Sequence, residues 1–105
     1  MSLIVNIPPK QSVPVRQKPA LTISFNNVNP ISEDFVITNK DAQKLHVINL
    51  NDVTDLAHLD ANMKFNLCVP HTDTSRYSFN SISPLTNFEI FNNQNYVKSI
   101  TLENI

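Results

Sequence analysis

The sequence predicts an all-β protein, a small antiparallel β-sandwich of jelly-roll type with about eight short strands. Three observations predict this class. Apolar and polar residues alternate with a period of two in several segments, these segments recur at roughly the spacing of sandwich strands, and asparagine interrupts the apolar pattern between them. The 105 residues include no glycine. Asparagine tolerates left-handed φ better than other non-glycine residues, so we expect it to supply the turns at residues 26–27, 39–41 and 92–95.

The N-terminal region is predicted to be an extended arm, residues 1–20, that precedes a sandwich domain, residues 21–105. Alternation predicts a strand at its start, and the prolines that follow should keep the chain extended without ladder hydrogen bonds of its own. The arm either reaches onto a neighbouring copy or folds back on its own domain. The residues expected to make its contacts are Leu3, Val5, Ile7, Pro8, Pro9, Pro14 and Pro19.

The remaining strands are predicted from the same alternation. Leu21, Ile23 and Phe25 share one face of the next strand. Segment 45–50 is apolar on both faces, which is typical of a central strand. The last two strands are predicted to form a hairpin across residues 92–95. The other predicted strands cover residues 35–37, 65–69, 77–79, 88–91 and 96–102.

One segment, residues 51–59, departs from the strand pattern. Asn51 offers a capping side chain, and the apolar residues after it fall at helical spacing. We therefore expect one or two turns of helix there.

Composition excludes several classes of function. The formal net charge is −1 and the basic residues are scattered, so no stripe is available to bind a row of phosphates. No apolar run reaches the roughly 20 residues of a membrane-spanning helix, and no basic segment precedes the first apolar stretch. The single cysteine excludes an internal disulfide framework and a cysteine-rich zinc site. Missing glycines argue against phosphate-binding loops.

Two groups of polar residues could carry chemistry. His58 with Asp55 and Asp60 has the residue types of a metal site, although a first-turn carboxylate beside an exposed histidine is the simpler interpretation.

His71, Asp73 and Ser75 have the residue types of a hydrolase, but their run is equally typical of a polar loop, and a nucleophilic serine normally needs neighbouring glycines.

Two single residues, Cys68 and His46, could also have a chemical role. Cys68 alternates away from the apolar face of its strand and has no neighbour in sequence that would activate its thiol, so we interpret it as a packing residue. His46 lies in the predicted central strand, where a structural histidine and a pH switch are both open.

These observations predict a non-enzymatic structural or assembly protein, with no catalytic, cofactor-binding or metal-binding residues. We expect a virion component, such as a capsid, penton or decoration subunit, whose copies pack through the N-terminal arm into a homo-oligomer or onto other shell proteins. Its location would be the virion, after assembly in host cytoplasm, or else the cytoplasm. The alternative is a carbohydrate- or peptide-binding module, in which Tyr77 or Tyr96 would stack on the ligand.

Overall fold

Ten β-strands make up the regular structure of this computed structural model, which describes residues 2–104. Within those residues there is no helix, and hence none of the length and apolarity that crossing a membrane requires. The strands are β1 (Ser2–Ile7), β2 (Ser12–Gln17), β3 (Leu21–Asn27), β4 (Glu33–Asn39), β5 (Leu45–Asn49), β6 (Thr54–Leu59), β7 (Lys64–Val69), β8 (Thr72–Asn80), β9 (Thr86–Asn92) and β10 (Lys98–Glu103).

The strands form two antiparallel sheets that enclose one apolar core. The larger sheet has the order β1-β10-β3-β8-β5-β6, and the smaller has the order β2-β9-β4-β7. Aromatic pairs join the two sheets: the ring centroids of Phe25 and Phe35 lie 5.0 Å apart, and those of Phe79 and Phe88 lie 4.8 Å apart. The predicted all-β sandwich is therefore confirmed, while its jelly-roll detail stays a prediction. The predicted central strand, β5, lies between β8 and β6.

At the ends of β3, β4 and β9, asparagine closes the turn through its side chain rather than by adopting left-handed φ. Positive φ occurs at Lys10, Ala20, Val53, Asn62 and Asn104, none of which lies in the asparagine turns predicted from sequence. The prediction that asparagine replaces glycine by adopting left-handed φ is therefore wrong at those turns. The physical reason is that an asparagine amide can close the turn by hydrogen bonding to the backbone two residues on, at ordinary φ.

The predicted helix over residues 51–59 is wrong, because Thr54–Leu59 is strand β6. The backbone amide of Asn51 donates to Oδ1 of Asn49 at 2.9 Å, so this asparagine belongs to the turn after β5 rather than to a helix start. Leu59 is buried in the core opposite Leu45 of β5. Pairing with β5 and burial of Leu59 outweigh the weak helical pattern.

The predicted hairpin across residues 92–95 is also wrong. Strand β9 belongs to the smaller sheet and β10 to the larger one, so the connection crosses from one sheet to the other. The buried Asn92 holds this crossing in place, since its Nδ2 donates to the carbonyl oxygens of Ile7 and Tyr96, each at 2.9 Å.

The N-terminal region pairs with the chain's own sheets. Strand β1 pairs with β10 and β2 pairs with β9, so the expectation that residues 8–20 make no ladder hydrogen bonds is wrong. Proline is compatible with β2 because this strand lies at a sheet edge. Ile7 and Val15 are buried in the same core as the residues of segment 21–105. Of the two arrangements open from sequence, the structure has the region folded on its own domain.

Candidate functional site: an uncovered sheet edge

Each sheet ends in two edge strands, and an edge strand presents unpaired N–H and C=O groups to any other strand. Three of the four edges carry features that oppose such pairing. Strand β2 contains Pro14 and Arg16, and β7 contains Lys64. Strand β6 contains Asp55, and its register with β5 is interrupted by a β-bulge. Prolines, charges and bulges are the usual means by which edges are kept from associating.

The fourth edge, β1, has none of these features. Its sequence is Ser-Leu-Ile-Val-Asn-Ile, and its register with β10 is regular from Ser2 to Ile7. No strand among residues 2–104 covers its outer side. Two apolar side chains stand open on it, because Leu3 is 46% exposed and Ile4 is 67% exposed. A long, uncharged and apolar edge of this kind is a site for strand addition.

Strand β1 is paired with β10 along its whole length, while its side chains become more buried from one end to the other. Leu3, Val5 and Ile7 share the face that turns toward the core, and burial increases along it until Ile7 is fully enclosed. At this same end the side chain of Ser99 donates to Oδ1 of Asn6 at 2.5 Å, beside the ladder with β10. Addition of another strand would therefore meet a preformed edge rather than a mobile tail.

The prolines expected to make assembly contacts lie away from this edge. Pro8 and Pro9 are half-buried in the turn after β1, Pro14 is exposed within β2, and Pro19 is exposed in the turn before β3. The prolines lie in β2 or in the turns of the N-terminal region, while its exposed large apolar side chains, Leu3 and Ile4, belong to β1.

The hydrolase residues considered from sequence are not joined into a catalytic group. His71 and Asp73 are exposed, whereas Ser75 is buried beside Tyr77. No hydrogen bond connects His71, Asp73 and Ser75 among the side chains of residues 2–104.

Asp60, which the sequence grouped with His58 as a possible metal ligand, is not part of a cluster with His58 in the structure. Its Oδ1 lies 3.9 Å from Nζ of Lys44. The structure brings His58 and Asp55 together with His46 of the neighbouring strand instead. Sequence reasoning missed this group, because His46 is nine or more residues away and no pattern indicates which strands pair. Cys68 is on the face opposite the core, as its alternation predicts, but it is exposed, so its interpretation as a packing residue is wrong.

The tyrosines considered for stacking on a ligand have structural contacts. Tyr77 is buried in the core. The hydroxyl of Tyr96 donates to Oε2 of Glu33 at 2.5 Å, and this hydrogen bond is the main reason why the pKa of Tyr96 is raised to about 12. Glu33 is itself buried and pairs with Lys98 at 2.7 Å. The contacts of Tyr96 and Lys98 with Glu33 connect the β9–β10 crossing to the start of β4.

Comparison with known proteins gives no relative: no family model matches the chain, and no curated protein is significantly similar to it.

Proposed function

We propose that this protein is a non-enzymatic assembly subunit that associates with further copies of itself through the edge of β1. One observation carries the proposal: β1 is the one edge strand of the described chain that lacks a charge, a proline and a bulge, and it exposes two large apolar side chains. Main-chain hydrogen bonds would supply affinity along the strand, and burial of Leu3 and Ile4 would add to it.

The simplest contact of this kind is symmetric. Two copies of β1 lying antiparallel would join two six-stranded sheets into one continuous sheet, with the same residues contributed by each copy. An edge strand that is already folded loses little conformational entropy on association, which favours such a contact over the docking of a flexible arm.

A virion shell is the setting that we propose for this assembly, as a capsid, penton or decoration subunit. Shells are built from many copies of small β domains that use the same contact repeatedly. The compact sandwich and the single unprotected edge support this role. A cytoplasmic homo-oligomer is the alternative setting for the same contact.

The test is the size of the protein in solution, measured by sedimentation or light scattering over a range of concentrations. The unmodified chain should form dimers or larger species as concentration rises, and Ile4→Lys should remain monomeric because a lysine on the edge opposes strand addition. Val28→Lys is the matched control: Val28 is 74% exposed in a loop outside β1, and its replacement should not change association.

Two results would contradict the proposal. One is a monomer at every concentration of the unmodified chain. The other is an equal effect of Ile4→Lys and Val28→Lys, which would attribute association to general surface charge rather than to β1.

A further inference from the structure

A second group of chemically distinctive side chains lies on the outer face of the larger sheet, at the edge opposite β1. His46 of β5 stands directly across from His58 of β6, and their rings stack with centroids 4.1 Å apart. Nε2 of His46 lies 3.2 Å from Oδ1 of Asp55. Metal-ligating atoms of all three side chains lie within 4.8 Å of one another. We call this group the histidine cluster.

A β-bulge assembles the cluster. In a regular strand Asp55 and His58, three residues apart, would project from opposite faces. In β6, Ala57 pairs with Val47 and Asp55 pairs with Ile48, so Leu56 is an extra residue in the ladder. The extra residue returns Asp55 to the face of His58 and His46. Bulges commonly redirect a side chain in this way beside functional sites.

The residue types and spacing of the cluster suit a zinc ion. Two histidines and one carboxylate, with a fourth position open, form a recurrent zinc ligand set. Two ligands on one tetrahedral zinc ion lie about 3.3 Å apart for bond lengths of about 2.0–2.1 Å, close to the separation of Nε2 and Oδ1 in the cluster. Small rotations of the partly exposed side chains would bring the third ligand to the same point.

We propose that His46, Asp55 and His58 bind one Zn²⁺ ion, with the fourth coordination position taken by water or an external ligand. Without metal, Nε2–H of His46 donates to the carboxylate of Asp55. An ion bound at Nε2 would take the place of that proton, which the ring would then carry on Nδ1, so that His46 binds as a neutral ligand. Because the three ligands project from paired strands rather than from loops, their backbone positions are fixed before the metal arrives.

The test is titration of the full chain with Zn²⁺, followed by calorimetry and by the imidazole resonances in NMR spectra. We expect one ion per chain, with shifts confined to the resonances of His46 and His58. His46→Ala, His58→Ala and Asp55→Asn should each weaken binding at least about tenfold. His71→Ala is the matched control, since His71 is the remaining histidine and lies outside the cluster. Mg²⁺, which prefers oxygen ligands, should not compete.

His58 and Asp55 are exposed, so their substitutions should leave the far-UV circular dichroism unchanged and the test does not depend on the half-buried His46 alone. The proposal is overturned if no binding occurs up to about 1 mM Zn²⁺, or if His71→Ala weakens binding as much as His58→Ala. It is independent of association through β1, because Ile4→Lys should leave zinc binding unchanged.

Discussion

At the scale of single residues, three buried asparagines close turns at the ends of strands through their side chains. Asn27, Asn39 and Asn92 are each the last residue of a strand, and each is fully buried. In every case Oδ1 accepts from the backbone amide two residues on, and Nδ2 donates to the carbonyl four residues on and to a carbonyl of another strand. One side chain thus closes the turn and ties it to the sandwich.

Asn39→Ala should be strongly destabilising. It removes hydrogen bonds to the amide of Asp41 and to the carbonyls of Gln43 and Leu59, at 2.8–2.9 Å, and leaves the buried carbonyl of Leu59 without this partner. At about 0.5–1.5 kcal/mol for each bond, we expect the free energy of unfolding to fall by about 2–4 kcal/mol.

Urea denaturation measures this loss. Asn66→Ala is the control, because Asn66 is exposed on β7, and it should change the free energy by less than about 0.5 kcal/mol. Equal effects of the two substitutions would show that the buried side-chain amide of Asn39 contributes nothing to the free energy of unfolding.

At the scale of strands, the sequence indicates the elements but not their partners. Alternation located β3 correctly through Leu21, Ile23 and Phe25, because the period of two follows from the strand backbone alone. It could not show that β9 and β10 belong to different sheets, since the crossing depends on contacts of Asn92 with Ile7, 85 residues away. The same limit hid the histidine cluster, which depends on an extra residue in β6.

The position of the proline in β2 can be tested directly. The amide of Asn92 donates to the carbonyl of Gln11, so the two-residue period places Val13 in a hydrogen-bonded pair with β9 and Pro14 in the pair between. Pro14→Val should therefore be tolerated. Val13→Pro should lower the free energy of unfolding by at least about 2 kcal/mol. The substitution removes the backbone N–H that donates to β9 and leaves the accepting carbonyl group of β9 without a partner.

The midpoints of urea denaturation of the two variants decide the matter. Similar midpoints would mean that β2 contributes little through its ladder with β9.

At the scale of the whole molecule, the N-terminal region completes the sandwich rather than extending from it. β1 lies at one edge of the larger sheet and β2 at one edge of the smaller, and each adds a buried side chain, Ile7 and Val15. The separation into an arm and a domain was plausible from sequence because prolines cluster in residues 8–19. It failed because an edge strand accommodates proline at alternate positions.

A fragment that begins at Leu21 should consequently fail to fold. Removal of both edge strands takes the buried side chains of Ile7 and Val15 out of the core and uncovers the residues that they pack against. Burial of two such side chains contributes about 3–6 kcal/mol, which is comparable with the whole free energy of unfolding of a small domain. Far-UV circular dichroism and amide dispersion in NMR spectra should report a disordered chain. A fragment with native dispersion would show instead that residues 21–105 are a self-sufficient unit.

The pairing of β1 with β10 has a consequence for synthesis on the ribosome. Residues 2–7 are translated more than ninety residues before their partner, residues 98–103. Until β10 has been made, this apolar strand lacks the one strand that it pairs with, so the nascent polypeptide is more exposed to mispairing than the finished one. Chaperones that bind short apolar segments would find their target here, and only until the last strand is released.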